Sequence, residues 1–155
     1  MAEPNPEELF NLGVKSIEAK DYIQAKKYFE KACDLNNGSG CGALGFLYGM
    51  GKGVEKNLIK AAYFYAKACD LNNGGGCGNL GVLYQKGEGV EKDLIKAAYF
   101  YSKACELKDG LGCGALAMLY INGQGVEKNL TKADQYISKA CKLGDQEACE
   151  ALKEK

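Results

Sequence analysis

The segment Leu58-Ile-Lys-Ala-Ala-Tyr-Phe-Tyr-Ala-Lys-Ala-Cys69 recurs 36 residues later as Leu94-Ile-Lys-Ala-Ala-Tyr-Phe-Tyr-Ser-Lys-Ala-Cys105. The two segments differ only where Ala66 is replaced by Ser102. Their apolar residues follow the i, i+3, i+4, i+7 spacing that places them on one face of an α-helix. A long segment that recurs at a fixed distance is typical of repeat proteins, so the fold is predicted from the repeat.

The eight cysteines set the length of this repeat. They form two series that each advance by 36 residues: Cys33, Cys69, Cys105 and Cys141, and Cys41, Cys77, Cys113 and Cys149. A constant period of this length predicts an array of stacked supersecondary units. We therefore predict a single solenoid domain over residues 1–155. Its parts are repeats at about 5–40, 41–76, 77–112 and 113–148 and a C-terminal cap over 149–155.

Each repeat is predicted to contain two helices, which makes the fold class all-α. The second helix has a polar residue at the position of an N-cap: Asn57, Asp93 or Asn129. Glycines are expected to end the second helices: Gly38, Gly74 and Gly110. The first helix is predicted to begin at Cys41 and to run to Met50. It is short and contains glycines, so it depends on its neighbours for stability.

An even number of cysteines at strict spacing predicts disulfides in an oxidising compartment. Pairing within each Cys-x7-Cys motif uses all of them: Cys33–Cys41, Cys69–Cys77, Cys105–Cys113 and Cys141–Cys149. Pairing across the intervening 28 residues would leave Cys33 and Cys149 unpaired. Two alternatives remain open, namely metal binding and buried reduced thiols. Zinc sites, however, favour cysteines separated by about two to four residues.

Composition excludes several functions. The 20 basic residues are all lysine, they balance 20 acidic residues, and histidine is absent. These numbers exclude a histidine-based catalytic triad and argue against nucleic acid as a partner. We expect no metal and no cofactor, and the protein is expected to be a monomer.

The cysteines also bear on localisation. No segment approaches the roughly 18–20 apolar residues of a membrane span. The start, Met1-Ala-Glu-Pro-Asn-Pro6, has no signal-peptide features. Because the cysteines favour an oxidising compartment, we expect a secreted or periplasmic protein whose leader is replaced by Met1.

Leu44-Gly45 with Tyr48, the following Gly-x-Gly-Val loop and the Lys-Ala-Cys end of the second helix resemble the Sel1-like repeat. Leu12-Gly13 in the first block is closer to a tetratricopeptide repeat, and Cys-x7-Cys resembles the Helicobacter cysteine-rich protein family. This resemblance implies a right-handed solenoid of αα-hairpins in a secreted protein. The near identity of the blocks is also compatible with an engineered or consensus scaffold that has no natural ligand.

The same resemblance implies penicillin binding with slow β-lactamase activity, and hence β-lactam or peptidoglycan-like compounds as partners. The Ser-x-x-Lys, Ser-Asp-Asn and Lys-Thr-Gly motifs of serine β-lactamases are all absent from the sequence. No catalytic residue is therefore assigned, and we expect binding rather than catalysis.

Solenoids bind ligands on extended concave surfaces, and in related arrays the first helix of each repeat lines that surface. The residues predicted to lie there are Phe10, Val14, Phe46, Met50, Asn79, Val82, Lys86, Met118 and Asn122. They differ between repeats whereas the framework does not, which favours a peptide or protein as the ligand. The alternative is that Phe46 and Met118 pack between adjacent repeats.

Overall fold

The computed structural model describes residues 4–154, which form helices joined by short turns and contain no strand. The helices are α1 (Pro6–Glu18), α2 (Tyr22–Asp34), α3 (Gly38–Met50), α4 (Leu58–Asp70), α5 (Gly74–Lys86), α6 (Leu94–Glu106), α7 (Gly110–Asn122), α8 (Leu130–Lys142) and α9 (Gln146–Lys153). The prediction of an all-α fold is confirmed. Between residues 4 and 154 no helix is long and apolar enough to cross a membrane.

The described chain forms two compact units that divide between Gly76 and Cys77. In the first unit, α1 packs on α2, α2 on α3, and α3 on α4. In the second unit, α6 packs on α7, α7 on α8, and α8 on α9. Within each unit, helices that follow one another in the sequence are therefore neighbours in space, as in a stack of αα-hairpins.

The second helices begin where the sequence predicted. In each case the N-cap side chain accepts a hydrogen bond from the backbone N–H three residues ahead, which satisfies a donor that the helix leaves free. The pairs are Asn57 with Lys60, Asp93 with Lys96 and Asn129 with Lys132, at 3.0, 3.0 and 2.9 Å.

The predicted starts of the first helices are wrong. The helix α3 begins at Gly38 rather than Cys41, because the Asn37 side chain accepts a hydrogen bond from the Gly40 N–H at 2.7 Å. Gly38 therefore starts a helix instead of ending one, and the same is true of the glycines that begin α5 and α7. The turn before α3 is made by Asn36, which has a φ of 65°. Asparagine tolerates this left-handed conformation, so glycine is not needed there.

The core of each hairpin combines small and large side chains. The predicted apolar stripe of α4 is buried at Ala61, Ala62, Tyr65 and Ala68. Opposite it, Leu44 and Leu47 of α3 are fully buried. A corresponding cluster in the second unit contains Ala97, Ala98, Tyr101, Leu116 and Leu119. Alanines on the second helix allow the leucine-bearing first helix to approach closely.

Disulfides connect the end of a second helix to the start of the next first helix. The Cα atoms of Cys33 and Cys41 are 4.5 Å apart, and those of Cys105–Cys113 and Cys141–Cys149 are 4.6 Å apart. Cys69 and Cys77 are disulfide-bonded as well. The cysteines of each of these three pairs are separated by 8 residues in the sequence. For a loop of this length, the chain-entropy relation gives a stabilisation of the folded state of about 2.5 kcal/mol per disulfide.

Candidate binding face

In the first unit, the predicted binding residues divide into an exposed pair and a packed pair. Phe46 and Met50 lie one turn apart on α3, and their side chains are 46% and 56% exposed. Phe10 and Val14 on α1 are half-buried, and the Phe10 ring is centred 5.7 Å from the Phe29 ring. Of the predicted residues in this unit, the more exposed apolar side chains are therefore the two on α3.

In the second unit, the predicted residues lie on α5 and α7. Asn79 and Lys86 are exposed and Val82 is half-buried, and their spacing places them on one face of α5. Met118 is 53% exposed on α7, with the exposed Asn122 one turn further along.

Met118 also lines a groove of about 360 Å³ between α7, α8 and α9, which we call the α7–α9 groove. Its walls are Leu111, Gly114, Ala115, Met118, Ile137, Asp145, Glu147, Ala148 and Ala151. Of these residues, the sequence predicted only Met118. Leu111 could have been predicted from the sequence, because it is apolar at a position where the preceding repeats have Ser39 and Gly75. Glu147 was missed because the last helix begins at Gln146, before the predicted cap at 149–155.

One carboxylate of the groove is held in place by the backbone. Asp145 caps α9, where its Oδ1 accepts a hydrogen bond from the Ala148 N–H at 3.3 Å. Its other oxygen, Oδ2, lies against α7, since a Cβ atom added to Gly114 would be only 2.8 Å from it. Glycine at this position therefore gives the carboxylate room to rest on the helix backbone.

The groove has an uncompensated negative charge. Asp145 and Glu147 belong to its lining, whereas no lysine does. Neither carboxylate forms an ion pair with another residue between 4 and 154, and the Lys26–Glu30 pair at 3.2 Å lies on α2. The groove is thus mostly apolar, with two carboxylates that have no cationic partner among residues 4–154.

A second set of side chains repeats with little variation in three of the hairpins. Pairs of aromatic rings stack with centroids 5.6, 5.6 and 5.7 Å apart: Tyr48–Phe64, Tyr84–Phe100 and Tyr120–Tyr136. A lysine ammonium lies 5.3, 5.4 and 5.5 Å from the centre of each first ring: Lys60, Lys96 and Lys132. These contacts join the first and second helices in the α3–α4, α5–α6 and α7–α8 hairpins, whereas in α1–α2 the Phe10 and Phe29 rings are tilted at 37°. They belong to the framework rather than to a variable recognition surface.

The buried phenols and the serines offer little for catalysis. Burial raises the pKa of Tyr65 and raises the pKa of Tyr101 to about 12. The Tyr101 hydroxyl donates a hydrogen bond to Gln85 Oε1 at 2.6 Å. The Ser16 hydroxyl donates to the Leu12 carbonyl at 3.0 Å, and no serine between residues 4 and 154 is hydrogen-bonded to a basic or acidic side chain.

The profile of the Sel1 repeat matches residues 9–37, 39–73, 76–109 and 111–145, which is most of the chain and includes its first block. Two Helicobacter pylori proteins are similar in part. HcpC is 64% identical over 56 residues, which is 36% of this chain and 19% of HcpC. The protein named "Beta-lactamase HcpA" is 53% identical over 57 residues, which is 37% of this chain and 23% of HcpA. The matched segment thus spans about a fifth of these curated relatives.

Solved structures agree with the sequence match. The Sel1 repeat protein from Oxalobacter formigenes superposes with a TM-score of 0.85 at 32% identity, covering 90% of this chain and 57% of that protein. Helicobacter pylori cysteine rich protein B superposes with a TM-score of 0.69 at 41% identity, covering 84% of this chain and 94% of that protein. This chain therefore belongs to the Sel1 repeat family, with the Helicobacter cysteine-rich proteins as its relatives.

Proposed function

We propose that this chain is a secreted or periplasmic scaffold that binds a peptide or protein segment on the exposed faces of its first helices. The observation that carries the proposal is the exposure of large apolar side chains at the positions that vary between repeats. Phe46, Met50 and Met118 are each about half exposed on helices whose other faces form the core. An exposed apolar side chain on a rigid frame is a low-cost anchor for a ligand, because little of the frame has to be ordered on binding.

Buried disulfides support the proposed location. Cys33, Cys41, Cys105 and Cys113 are at most 1% exposed and are bonded in pairs. Such bonds form and persist in secreted and periplasmic proteins, whereas the cytosol keeps thiols reduced. The disulfides also make the first helices rigid at their starts, where these helices are rich in glycine.

The proposal can be tested with peptides selected from a random heptapeptide library on the oxidised protein. Kd values of the selected peptides are measured by fluorescence anisotropy for Phe46→Ser, Met50→Ser and Met118→Ser. We expect at least one of these variants to weaken each peptide about 10-fold, which corresponds to about 1.4 kcal/mol of lost apolar contact.

Ile59→Ser is the matched control, because Ile59 is a 72% exposed apolar side chain on a second helix. This variant should leave the Kd values unchanged. A reversed pattern, in which Ile59→Ser weakens binding and the first-helix variants do not, would place the ligand on the other face of the hairpins.

A second candidate, slow hydrolysis of β-lactams, follows from the name of HcpA. It is checked by the turnover of a chromogenic cephalosporin across the final chromatographic step. Hydrolysis that does not follow the protein peak would dismiss this candidate, whereas activity that co-elutes with the protein and is lost on heat denaturation would support it.

A further inference from the structure

We propose that the α7–α9 groove binds a peptide segment in which an aliphatic side chain is adjacent to a lysine or arginine. This inference rests on the peptide-binding function proposed above and names the chemistry of the ligand at one place on the face.

The aliphatic part of the proposal follows from the groove walls. Leu111 is 74% exposed and Met118 53% exposed, and the half-buried Ile137 and Ala151 complete an apolar lining. A volume of about 360 Å³ lies in the range of ligand-binding clefts, which begins at about 300 Å³. Methionine is unbranched and adapts to different apolar shapes, so the wall accommodates leucine, isoleucine or methionine side chains.

The cationic part follows from Asp145 and Glu147. Both carboxylates lie at the groove, and neither forms an ion pair with another residue in the described range 4–154. A peptide carboxylate or acidic side chain would be repelled there, whereas a lysine or arginine beside the apolar side chain would be attracted.

The contacts of Asp145 fix the orientation of its carboxylate in the groove. Its Oδ1 is occupied by the Ala148 N–H, which leaves Oδ2 against Gly114 at the inner wall. The carboxylate is thus oriented before any ligand arrives, and no side-chain entropy is lost in orienting it on binding.

The corresponding place in the first unit has a different chemistry. Asn73 stands 72 residues before Asp145, where its Oδ1 accepts a hydrogen bond from the Gly76 N–H at 2.7 Å. A Cβ atom on Gly42 would lie 3.2 Å from this same oxygen, so the capping side chain also rests against a glycine of the preceding first helix here. The side chain is a neutral amide there, and the residue equivalent to Met118 is Phe46. A preference for a cation therefore separates the α7–α9 groove from the Asn73 site. One repeat before Asp145, Asp109 is also a carboxylate, with Oδ2 2.7 Å from a Cβ atom added to Gly78.

Three fluorescein-labelled heptapeptides test the inference: Gly-Ser-Lys-Leu-Lys-Ser-Gly, the same peptide with both lysines replaced by glutamate, and the same peptide with leucine replaced by serine. Their Kd values are measured by fluorescence anisotropy on the oxidised full chain at low and high salt. We expect the Lys-Leu-Lys peptide to bind at least about 10-fold more tightly than either comparison peptide, and to weaken with salt.

The decisive variant is Asp145→Asn with Glu147→Gln, which removes both charges but keeps the shape. Asparagine is as good an N-cap as aspartate, so α9 is expected to remain folded. This variant should weaken the Lys-Leu-Lys peptide about 3- to 10-fold and abolish the salt effect. Met118→Ser should weaken it to a similar extent, whereas Ile95→Ser on α6 should not.

Equal binding of the lysine and glutamate peptides, or an unchanged Kd in the charge-neutral variant, overturns the inference. The proposed function still holds in that case if Met118→Ser weakens peptide binding. Peptide binding that depends only on Phe46 and Met50 also overturns it without affecting the proposed function. If no variant of Phe46, Met50 or Met118 alters any Kd, both proposals fail. Dimerisation that is lost in Met118→Ser, measured by sedimentation, would identify a second copy of the chain as the occupant and overturn the peptide assignment.

Discussion

The α3–α4 hairpin of the first unit and the α7–α8 hairpin of the second have helices of equal length, similar caps and the same aromatic stacks. Among the positions at which they differ is a pair that face each other across the hairpin. In α3–α4, Gly45 faces Tyr65, and a Cβ atom on Gly45 would be 2.9 Å from the ring. In α7–α8 the equivalent residues are Ala117 and Ile137. A larger residue on the first helix is thus accompanied by a smaller residue on the second.

This exchange affects the proposed binding surface as well as the packing. The Tyr65 side chain is buried, whereas the shorter Ile137 side chain lines the α7–α9 groove. The shape of the proposed binding face is therefore set in part by framework residues. Exposed positions that vary between repeats do not determine it alone.

The largest difference between the two units should appear when disulfides are removed. Cys33 and Cys41 are buried, whereas Cys141 and Cys149 are half-exposed. We expect Cys33→Ala with Cys41→Ala to lower the free energy of unfolding by about 3 kcal/mol. Removal of the Cys141–Cys149 link should cost less globally, because the eight-residue helix α9 can unfold locally.

Urea unfolding followed by far-UV circular dichroism measures both losses, and limited proteolysis reports the release of α9. Equal losses of unfolding free energy for the two double variants would contradict this prediction.

The exchange of Gly45–Tyr65 for Ala117–Ile137 is tested directly by substitution. Gly45→Ala should destabilise the protein by about 1–3 kcal/mol, because a methyl group would overlap the Tyr65 ring. The addition of Tyr65→Ile should restore most of this loss, since it recreates the pair found in the second unit. The measurement is a double-mutant cycle in urea, with Ala117→Gly as a control expected to cost about 1 kcal/mol of helix propensity. A coupling energy near zero would show that the two positions vary independently.

The two buried tyrosines should respond differently to loss of their hydroxyl groups. Tyr101 donates a hydrogen bond to Gln85, whereas Gly49 stands at the equivalent place beside Tyr65. Tyr101→Phe should therefore lower the unfolding free energy by about 1 kcal/mol at neutral pH. Tyr65→Phe is the matched control and should have a smaller effect in the same urea titration.

The burial of Tyr101 should also make the free energy of unfolding depend on pH in the alkaline range. Burial raises its pKa to about 12 in the folded protein, above the ordinary value of 10.0. The unfolded chain loses this proton first, so the stabilisation is complete below pH 10 and is lost progressively as the pH rises towards 12. By pH 11 the loss should be about 1 kcal/mol. Tyr101→Phe should show a shallower decline of unfolding free energy between pH 9 and pH 11, and an identical decline would contradict the assignment.

The smallest effects should come from the lysines over the tyrosine rings. Lys60→Met and Lys96→Met remove a charge that lies 5.3 and 5.4 Å from the ring centres of Tyr48 and Tyr84. Each should cost about 0.5 kcal/mol, because these cations are exposed to solvent. The two losses should agree within error, since the contact is the same in both hairpins. A large difference between them in thermal unfolding would show that the stacks are not equivalent.

The repeat length, the two-helix content and the caps of the second helices could be predicted from the sequence, because each has a local signal. The cysteine spacing gives the period, and Asn57, Asp93 and Asn129 occupy positions at which their side chains cap a helix. The starts of the first helices could not be predicted by the same rules. Gly38 is a poor helix former, and its helical conformation depends on the cap from Asn37 and on packing within the hairpin.

The α7–α9 groove was missed for a tertiary reason. Ile137 and Asp145 lie far from Leu111 and Met118 in the sequence, and the packing of α8 on α7 and of α9 on α8 brings them together. The face residues that could be predicted are those on a single helix, such as Phe46 and Met50, because helical spacing alone groups them.

The disulfides that join one hairpin to the next have a consequence for how the protein evolves. A duplicated block of 36 residues carries one cysteine from each series, such as Cys41 and Cys69. When that block is inserted between two existing repeats, every cysteine in the block and on either side of it still has a partner eight residues away. The array can therefore gain or lose whole blocks without exposing an unpaired cysteine to oxidative misfolding. A single genetic event can in this way change the number of hairpins.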